Sequence, residues 1–316
     1  MNCLKKQGKL KDKKEDSDTD SNRKEDIETI SVEVGSFCLT ARAVKLEKIH
    51  AIQDYKSQMM RKEEEEIFYS PEKMEERNGV VHTVDEEEKK RLVHMRSIVE
   101  NQDPTCKDTD DLTLRRFLRA RDLDVEKASA MFMKYFKWRR KFVPKGFIST
   151  SEVTNQLEPK KVCLQGTDKR GCPVSVLFGA RHFPCKGGMD ELNRFIVFVL
   201  DKLCSRIPDG QEKLTIIADL QGYGYSNSDF RGYLAIFTIL QDYYPERLGK
   251  MLIIHSPYIF MTLWKIIHPF IDENTRKKII FVETKKLQAT LLEEIDKSQL
   301  PEIYGGKLQL VPIQDA

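Results

Sequence analysis

One segment limits the possible folds more than any other. Residues 257–271 read Pro257-Tyr258-Ile259-Phe260-Met261-Thr262-Leu263-Trp264-Lys265-Ile266-Ile267-His268-Pro269-Phe270-Ile271, and between Tyr258 and Ile267 only Thr262 and Lys265 are polar. Pro257 suits the first position of a helix, and Pro269 ends or kinks it. The helix is too short to span a bilayer, which needs about 20 apolar residues. A helix apolar nearly all round must be buried on both sides, so it needs two apolar surroundings. Two arrangements supply them. One is a central core helix. The other is a mobile helix with one face on a lipid-filled cavity and the other meeting a membrane.

Charge brackets this helix. Tyr243-Tyr244-Pro245-Glu246-Arg247-Leu248-Gly249-Lys250 precedes it, and Asp272-Glu273-Asn274-Thr275-Arg276-Lys277-Lys278 follows it. These charges read either as solvated surface or as a joint site for a ligand with a phosphate and several hydroxyls. Lysine supplies a point charge for phosphate, and arginine binds it bidentately. A carboxylate accepts hydrogen bonds from adjacent sugar-like hydroxyls.

With 316 residues the chain has room for one large domain or two smaller ones, plus tails. Hydrophobic residues make up 40%, enough for a sizeable core. Charged residues make up 33%, above the roughly 25% of an average domain, so some segment must be heavily solvated. Residues 1–30 are that segment: between Lys5 and Glu28 stand eight basic and eight acidic side chains, and disorder is expected. Residues 31–50 are moderately apolar and read as a short helix or a docking segment. Residues 54–79 contain Glu63-Glu64-Glu65-Glu66 and read as a solvated, partly helical linker. Residues 1–82 are therefore expected to be tail and linker.

Compact structure is expected from Thr83, where Thr83-Val84-Asp85-Glu86 fits a capping box ahead of a helix to about Glu100. A short helix over Leu112–Arg121 and a longer one capped by Asp124 complete a helical unit over 83–147. Its stretch 111–147 holds eleven basic and four acidic residues. From 148 to 310 strands alternate with helices. Strands are expected over Lys161–Leu164, Val174–Gly179, Leu214–Leu220, Met251–His255 and Ile279–Val282, and helices over 189–207, Asp229–Tyr243 and Leu287–Ser298. Alternation of this kind implies right-handed crossovers and a mainly parallel α/β sheet flanked by helices.

Several functions lose support. Lys+Arg number 53 against 50 Asp+Glu, too balanced for a bulk nucleic-acid binder. The seven cysteines contain no CxxC, which fits a reducing compartment such as the cytoplasm. Residues 1–20 have no apolar run, so no signal peptide is expected, and no stretch predicts a transmembrane helix. The chain lacks GxxxxGK[ST], HExxH and GxSxG, and Cys163 to Arg170 is Cys-x6-Arg rather than the Cys-x5-Arg of cysteine phosphatases. Gly222-Tyr223-Gly224-Tyr225-Ser226-Asn227 approaches a dinucleotide fingerprint, but Asn227 stands where the third glycine would allow close packing. His182 and Cys185 lack a second pair at ligand spacing. His255 and His268 sit in apolar surroundings and read as core or rim histidines. No catalytic residue, metal or cofactor is expected.

At this point a resemblance adds to the reading. Leu114-Arg115-Arg116-Phe117-Leu118-Arg119-Ala120-Arg121-Asp122-Leu123-Asp124-Val125 followed by Trp138-Arg139 resembles the helical preface of the CRAL-TRIO lipid-binding proteins. Asp219-Leu220-Gln221-Gly222, the segment Tyr244–Lys250 and Leu300-Pro301-Glu302-Ile303-Tyr304-Gly305-Gly306 are similar to their lipid domain. The similarity is greatest to the yeast-type phosphatidylinositol/phosphatidylcholine transfer proteins and covers about residues 83–310. It implies a cavity closed by a gate over 257–278, lined through Tyr258, Ile259, Phe260, Met261, Leu263, Trp264, Ile266, Ile267 and Phe270. It places the inositol-phosphate contacts at Arg121, Glu246, Thr275 and Lys278, all of the residue types the family uses. Where the family binds phosphatidylcholine through a Ser and a Thr, this chain has Leu214 and Ile216, so a different second lipid is expected. The resemblance thus implies a monomeric, cytoplasmic carrier of phosphatidylinositol with transient membrane contact. The alternatives are a carrier of a sterol, terpenoid or tocopherol-like molecule, a lipid-regulated scaffold that recruits a partner through residues 1–82, and an enzyme using Gly222–Asn227.

Overall fold

The computed structural model describes residues 81–184 and 188–316, so the expectations for residues 1–80 and Cys185 lie outside the described residues. Helix α1 spans Val81–Gln102 and starts ahead of Thr83. A 3-10 turn at Pro104–Asp108 leads to α2, Asp111–Arg119, and then α3, Val125–Phe142. The starts of α2 and α3 carry aspartate caps: Asp110 accepts from the Thr113 N–H at 2.7 Å, and Asp124 from the Lys127 N–H at 3.0 Å. Such caps each contribute about 1 kcal/mol. Leu92, Met95, Val99, Leu114, Phe117, Leu118, Ala128 and Phe132 form one buried cluster among the three helices.

A capping box at Ser149 and Glu152 opens a short turn before α4, Thr154–Leu157. The sheet follows: β1 Val162–Thr167 and β2 Pro173–Phe178, joined through the Asp168 turn, where the carboxylate accepts from the Arg170 and Cys172 N–H groups at 2.9 Å. Helix α5 spans Gly188–Cys204, β3 Leu214–Asp219, α6 Phe230–Tyr243 and β4 Leu248–Ile254. The chain continues through α7 Tyr258–Ile267, α8 Glu273–Lys277, β5 Ile279–Phe281, α9 Leu287–Glu294 and β6 Val311–Pro312.

The strand order is β5-β4-β3-β2-β1-β6. The three pairs from β2 to β5 are parallel, and β1 pairs antiparallel with both β2 and β6. Alternate residues of a strand face opposite sides. Val174, Val176, Ile217, Leu252 and Ile254 face a core closed by Leu291, Ile295 and Tyr304. Leu214 lies on the other side, in a core with Leu192, Phe195, Ile196 and Leu200 of α5 and Ile239 of α6. Ala218 and Ile253 meet α7 on that same side. Among the described residues no helix is long and apolar enough to cross a membrane.

Candidate functional site

Three of the parallel strands begin beside a charged residue. Lys213 stands directly before β3, Glu246 just before β4 and Lys278 directly before β5. The strand starts are staggered, with Lys213 preceding Leu214, which pairs with Leu248, and Lys278 preceding Ile279, which pairs with Met251, yet both lysine side chains reach Glu246. Lys213 Nζ donates to Glu246 Oε2 at 2.5 Å, and Lys278 Nζ lies 3.6 Å from the same oxygen. Burial alone would raise the Glu246 carboxyl, but the Lys213 hydrogen bond and charge, with the charge of Lys278, hold it below the usual glutamate range. Its contribution to stability is therefore present above that range and fades as pH falls through the lowered value. Glu246 takes a left-handed backbone, φ 59°, which costs a non-glycine residue roughly 1–2 kcal/mol.

The Lys278 end is fixed through its backbone. Asp272 caps α8 by accepting the Thr275 N–H at 2.8 Å, and the Thr275 carbonyl accepts the Lys278 N–H at 3.0 Å. The Lys278 carbonyl in turn accepts the Met251 N–H of β4 at 2.8 Å. Thr275, Lys278 and Glu246 thus belong to one connected end of the sheet. Arg121 does not join them by any described contact: its Nη1 donates to the Ala120 carbonyl at 2.9 Å. Nearby, the Arg119 guanidinium binds Glu88 at 2.7 Å and Glu212 at 3.0 Å.

Helix α7 corrects one expectation. It is not buried on both sides. Phe260 and Ile267 are buried, the latter to 2% exposure, and Ile259, Leu263 and Trp264 pack against Ala218, Leu220, Tyr223 and Ile253. Phe260 meets Tyr223 edge-on at 5.6 Å, and Trp264 meets Phe281 edge-on at 5.2 Å. Tyr258 is 87% exposed, Ile266 is exposed with Thr262 and Lys265, and Met261 is half-buried. The apolar side chains at 260, 263, 264 and 267 share one face at helical spacing, and that face alone meets the sheet. The helix ends before Pro269, and Phe270 closes a 3-10 turn over His268–Phe270.

On the sheet side shared by α6 and α7, apolar side chains stop short of full burial. Ile216 and Met251 on the strands are half-buried, as are Leu234, Ile236 and Phe237 on α6. Leu214 is buried. These half-buried apolar side chains lie on the side of the sheet that α7 covers.

The remaining candidates hold the fold together. Asn227 donates to the Ala180 and His182 carbonyls at 2.9 Å and accepts the Gly224 N–H, so it latches the glycine-rich turn instead of opening it to a nucleotide. Asp219 binds His255 Nδ1 at 2.9 Å and accepts from the Tyr304 hydroxyl at 2.7 Å, tying the end of β3 to the residue after β4 and to the 302–304 turn. Gly306 in that last motif admits no side chain, since a Cβ would sit 1.9 Å from the Leu300 carbonyl. His182 lies 3.1 Å from Lys161 Nζ and 3.1 Å from Asp229 Oδ2, a buried polar chain away from Glu246. His268 packs edge-on against Trp264 at 5.5 Å. Among the described residues no cluster of His, Cys, Asp or Glu is placed to hold a metal ion.

Sequence reasoning missed Lys213. Lys213 could have been found from strand order, because a residue before β3 must neighbour one before β4 in a parallel pair. Nothing local distinguishes it.

Comparison with known proteins agrees with this architecture. The CRAL/TRIO domain model matches residues 157–306, and the CRAL/TRIO N-terminal domain model matches residues 54–134, beginning inside the stretch read as linker. Phosphatidylinositol transfer protein CSR1 of Eremothecium gossypii is 30% identical over 211 residues, covering 63% of this chain and 48% of that protein. The chain therefore spans about half the length of that relative, and 76% of the Sec14 cytosolic factor of Schizosaccharomyces pombe, to which it is 32% identical over 217 residues. The crystal structure of Sfh5 superposes with a TM-score of 0.51 at 18% identity, covering 68% of this chain and 85% of that one, a likeness of fold.

Proposed function

This chain belongs to the CRAL-TRIO family, and from that premise we propose that it binds phosphatidylinositol and exchanges it between membranes or presents it at their surface. The observation that carries this reading is the Glu246 carboxylate set between Lys213 and Lys278, at the end of a sheet whose α7 side carries half-buried apolar residues. Lys278 takes the phosphodiester, Thr275 supports it, and Glu246 accepts the ring hydroxyls. Arg121 is the family's fourth contact and joins when the headgroup is present. Two acyl chains, about 30 methylenes together, lie on the wall formed by β3, β4 and α6, with α7 as gate.

Carriage is reversible for a physical reason. Burying about 30 methylenes removes on the order of 25 kcal/mol of hydration cost. The same chains are already dry in a bilayer, so net transfer is near balance and the headgroup contacts decide which lipid is held. No covalent step is needed. The exposed face of α7, with Tyr258 and Ile266, supplies the transient membrane contact. Leu214 and Ile216 offer no hydroxyl to a choline headgroup, so any second lipid is of a different kind. We place the protein in the cytoplasm as a monomer.

The test is transfer of labelled phosphatidylinositol from donor to acceptor vesicles by the full chain, beside Lys278→Ala. The reading expects transfer by the wild type and its loss in the variant. Equal transfer by both would contradict the assignment of Lys278.

A further inference from the structure

We infer that Lys213 is a second phosphate-binding point, so that the site takes an inositol headgroup bearing a phosphomonoester in addition to its diester. This rests on the headgroup reading of Glu246 and Lys278. Two ammonium groups converge on the single Oε2 of Glu246, one from β3 and one from β5. Among the described ion pairs neither lysine has another carboxylate partner. With Glu246 ionised the three side chains keep one positive charge in excess.

The excess is in the right place. β4 lies between β3 and β5, so Lys213 and Lys278 reach Glu246 from the two strands that flank β4. A six-membered ring gripped by Glu246 through its hydroxyls has its diester toward Lys278. Its far side then faces Lys213. A diester carries one charge and occupies one lysine. A monoester carries about −1.5 to −2 near neutral pH and satisfies the other. Both lysines are partly exposed, and neither is locked by a second bond that a ligand would have to break.

The shared chemistry is an inositol with a diester and a monoester, whether in a lipid or in a free inositol phosphate. The full chain is incubated with phosphatidylcholine vesicles holding equal amounts of phosphatidylinositol and a phosphatidylinositol monophosphate, then re-isolated. Organic and aqueous extracts are analysed by mass spectrometry, with Lys213→Met and Lys213→Arg alongside. Wild type is expected to carry the monophosphate in the organic extract. In Lys213→Met the ratio of monophosphate to phosphatidylinositol falls by about tenfold or more, the loss of one charge-assisted bond. Lys213→Arg restores the ratio. Phosphatidylinositol alone in the wild type overturns this inference and leaves the headgroup reading standing. Equal loss of both lipids in Lys213→Met, or recovery only of a free inositol phosphate, overturns it too. No inositol lipid in the wild type overturns both readings.

Discussion

Trp138 of α3 lies flat on Tyr243 at the end of α6, ring centroids 3.8 Å apart and planes within 4°. The contact joins the helical preface to the segment that runs directly into Glu246. Ion pairs support the same junction: Arg139 binds Asp201 at 2.7 Å, and Lys134 binds Asp242 at 2.8 Å. A stack of this kind contributes roughly 0.5–1.5 kcal/mol beyond area burial. In a double-mutant cycle of Trp138→Ala and Tyr243→Ala, urea unfolding is expected to show about 1 kcal/mol of coupling. Additive losses would mean that the two rings act independently.

Asp219 is buried and holds the Tyr304 hydroxyl at 2.7 Å. Burial and this bond to the carboxylate both raise the Tyr304 phenol, so it stays protonated as the donor. Tyr304→Phe keeps the ring and leaves one buried carboxylate oxygen without its partner. The expected loss is about 1–3 kcal/mol, read from denaturant midpoints. A loss near zero would show that water or His255 replaces the bond.

Lys161 is 4% exposed, and burial lowers its ammonium to about 8 from the ordinary 10.5. It donates to Gln156 at 2.5 Å and to His182 at 3.1 Å. Below the folded value both states hold the proton, and the folded state bears the cost of the buried charge. Between about 8 and 10.5 the unfolded chain holds more protons, so stability from this group rises with pH. Relative to Lys161→Met, the wild type is expected to gain on the order of 3 kcal/mol across that window. A flat difference would place the ammonium in contact with water.

The one-sided burial of α7 separates adjacent isoleucines. Ile267 is buried and Ile266 exposed. Ile267→Ala is expected to cost about 2–4 kcal/mol through the cavity it leaves. Ile266→Ala is expected to stay within about 0.5 kcal/mol. Thermal melts of the two variants measure the contrast, and equal losses would mean that α7 is enclosed on both sides.

Local chemistry carried much of this architecture. Asp124 was readable as a cap, and the parallel strands followed from alternation of apolar runs with helical segments. Other features had no local signal. Ser149 and Glu152 fit a capping box, but the turn they start is too short to show periodicity. The strand Val311–Pro312 exists only through pairing with β1. In α7 every turn is apolar, so the pattern could not say which face meets the sheet; Tyr223, Ile253 and Phe281 decide that. Within the candidate site, Glu246, Thr275 and Lys278 were legible through their motifs. Lys213 was not, because its role arises from a residue 33 positions away in the next parallel strand.

The central claim is that this sheet end holds an inositol headgroup. The most direct measurement is mass spectrometry of the lipid retained by the full chain after incubation with mixed vesicles, compared with Glu246→Gln and Lys278→Ala. Inositol lipid in the wild type, with most of it lost from both variants while their melting curves stay cooperative, is the expected result. A hydrophobe without an inositol headgroup, held equally by all three proteins, would contradict the account.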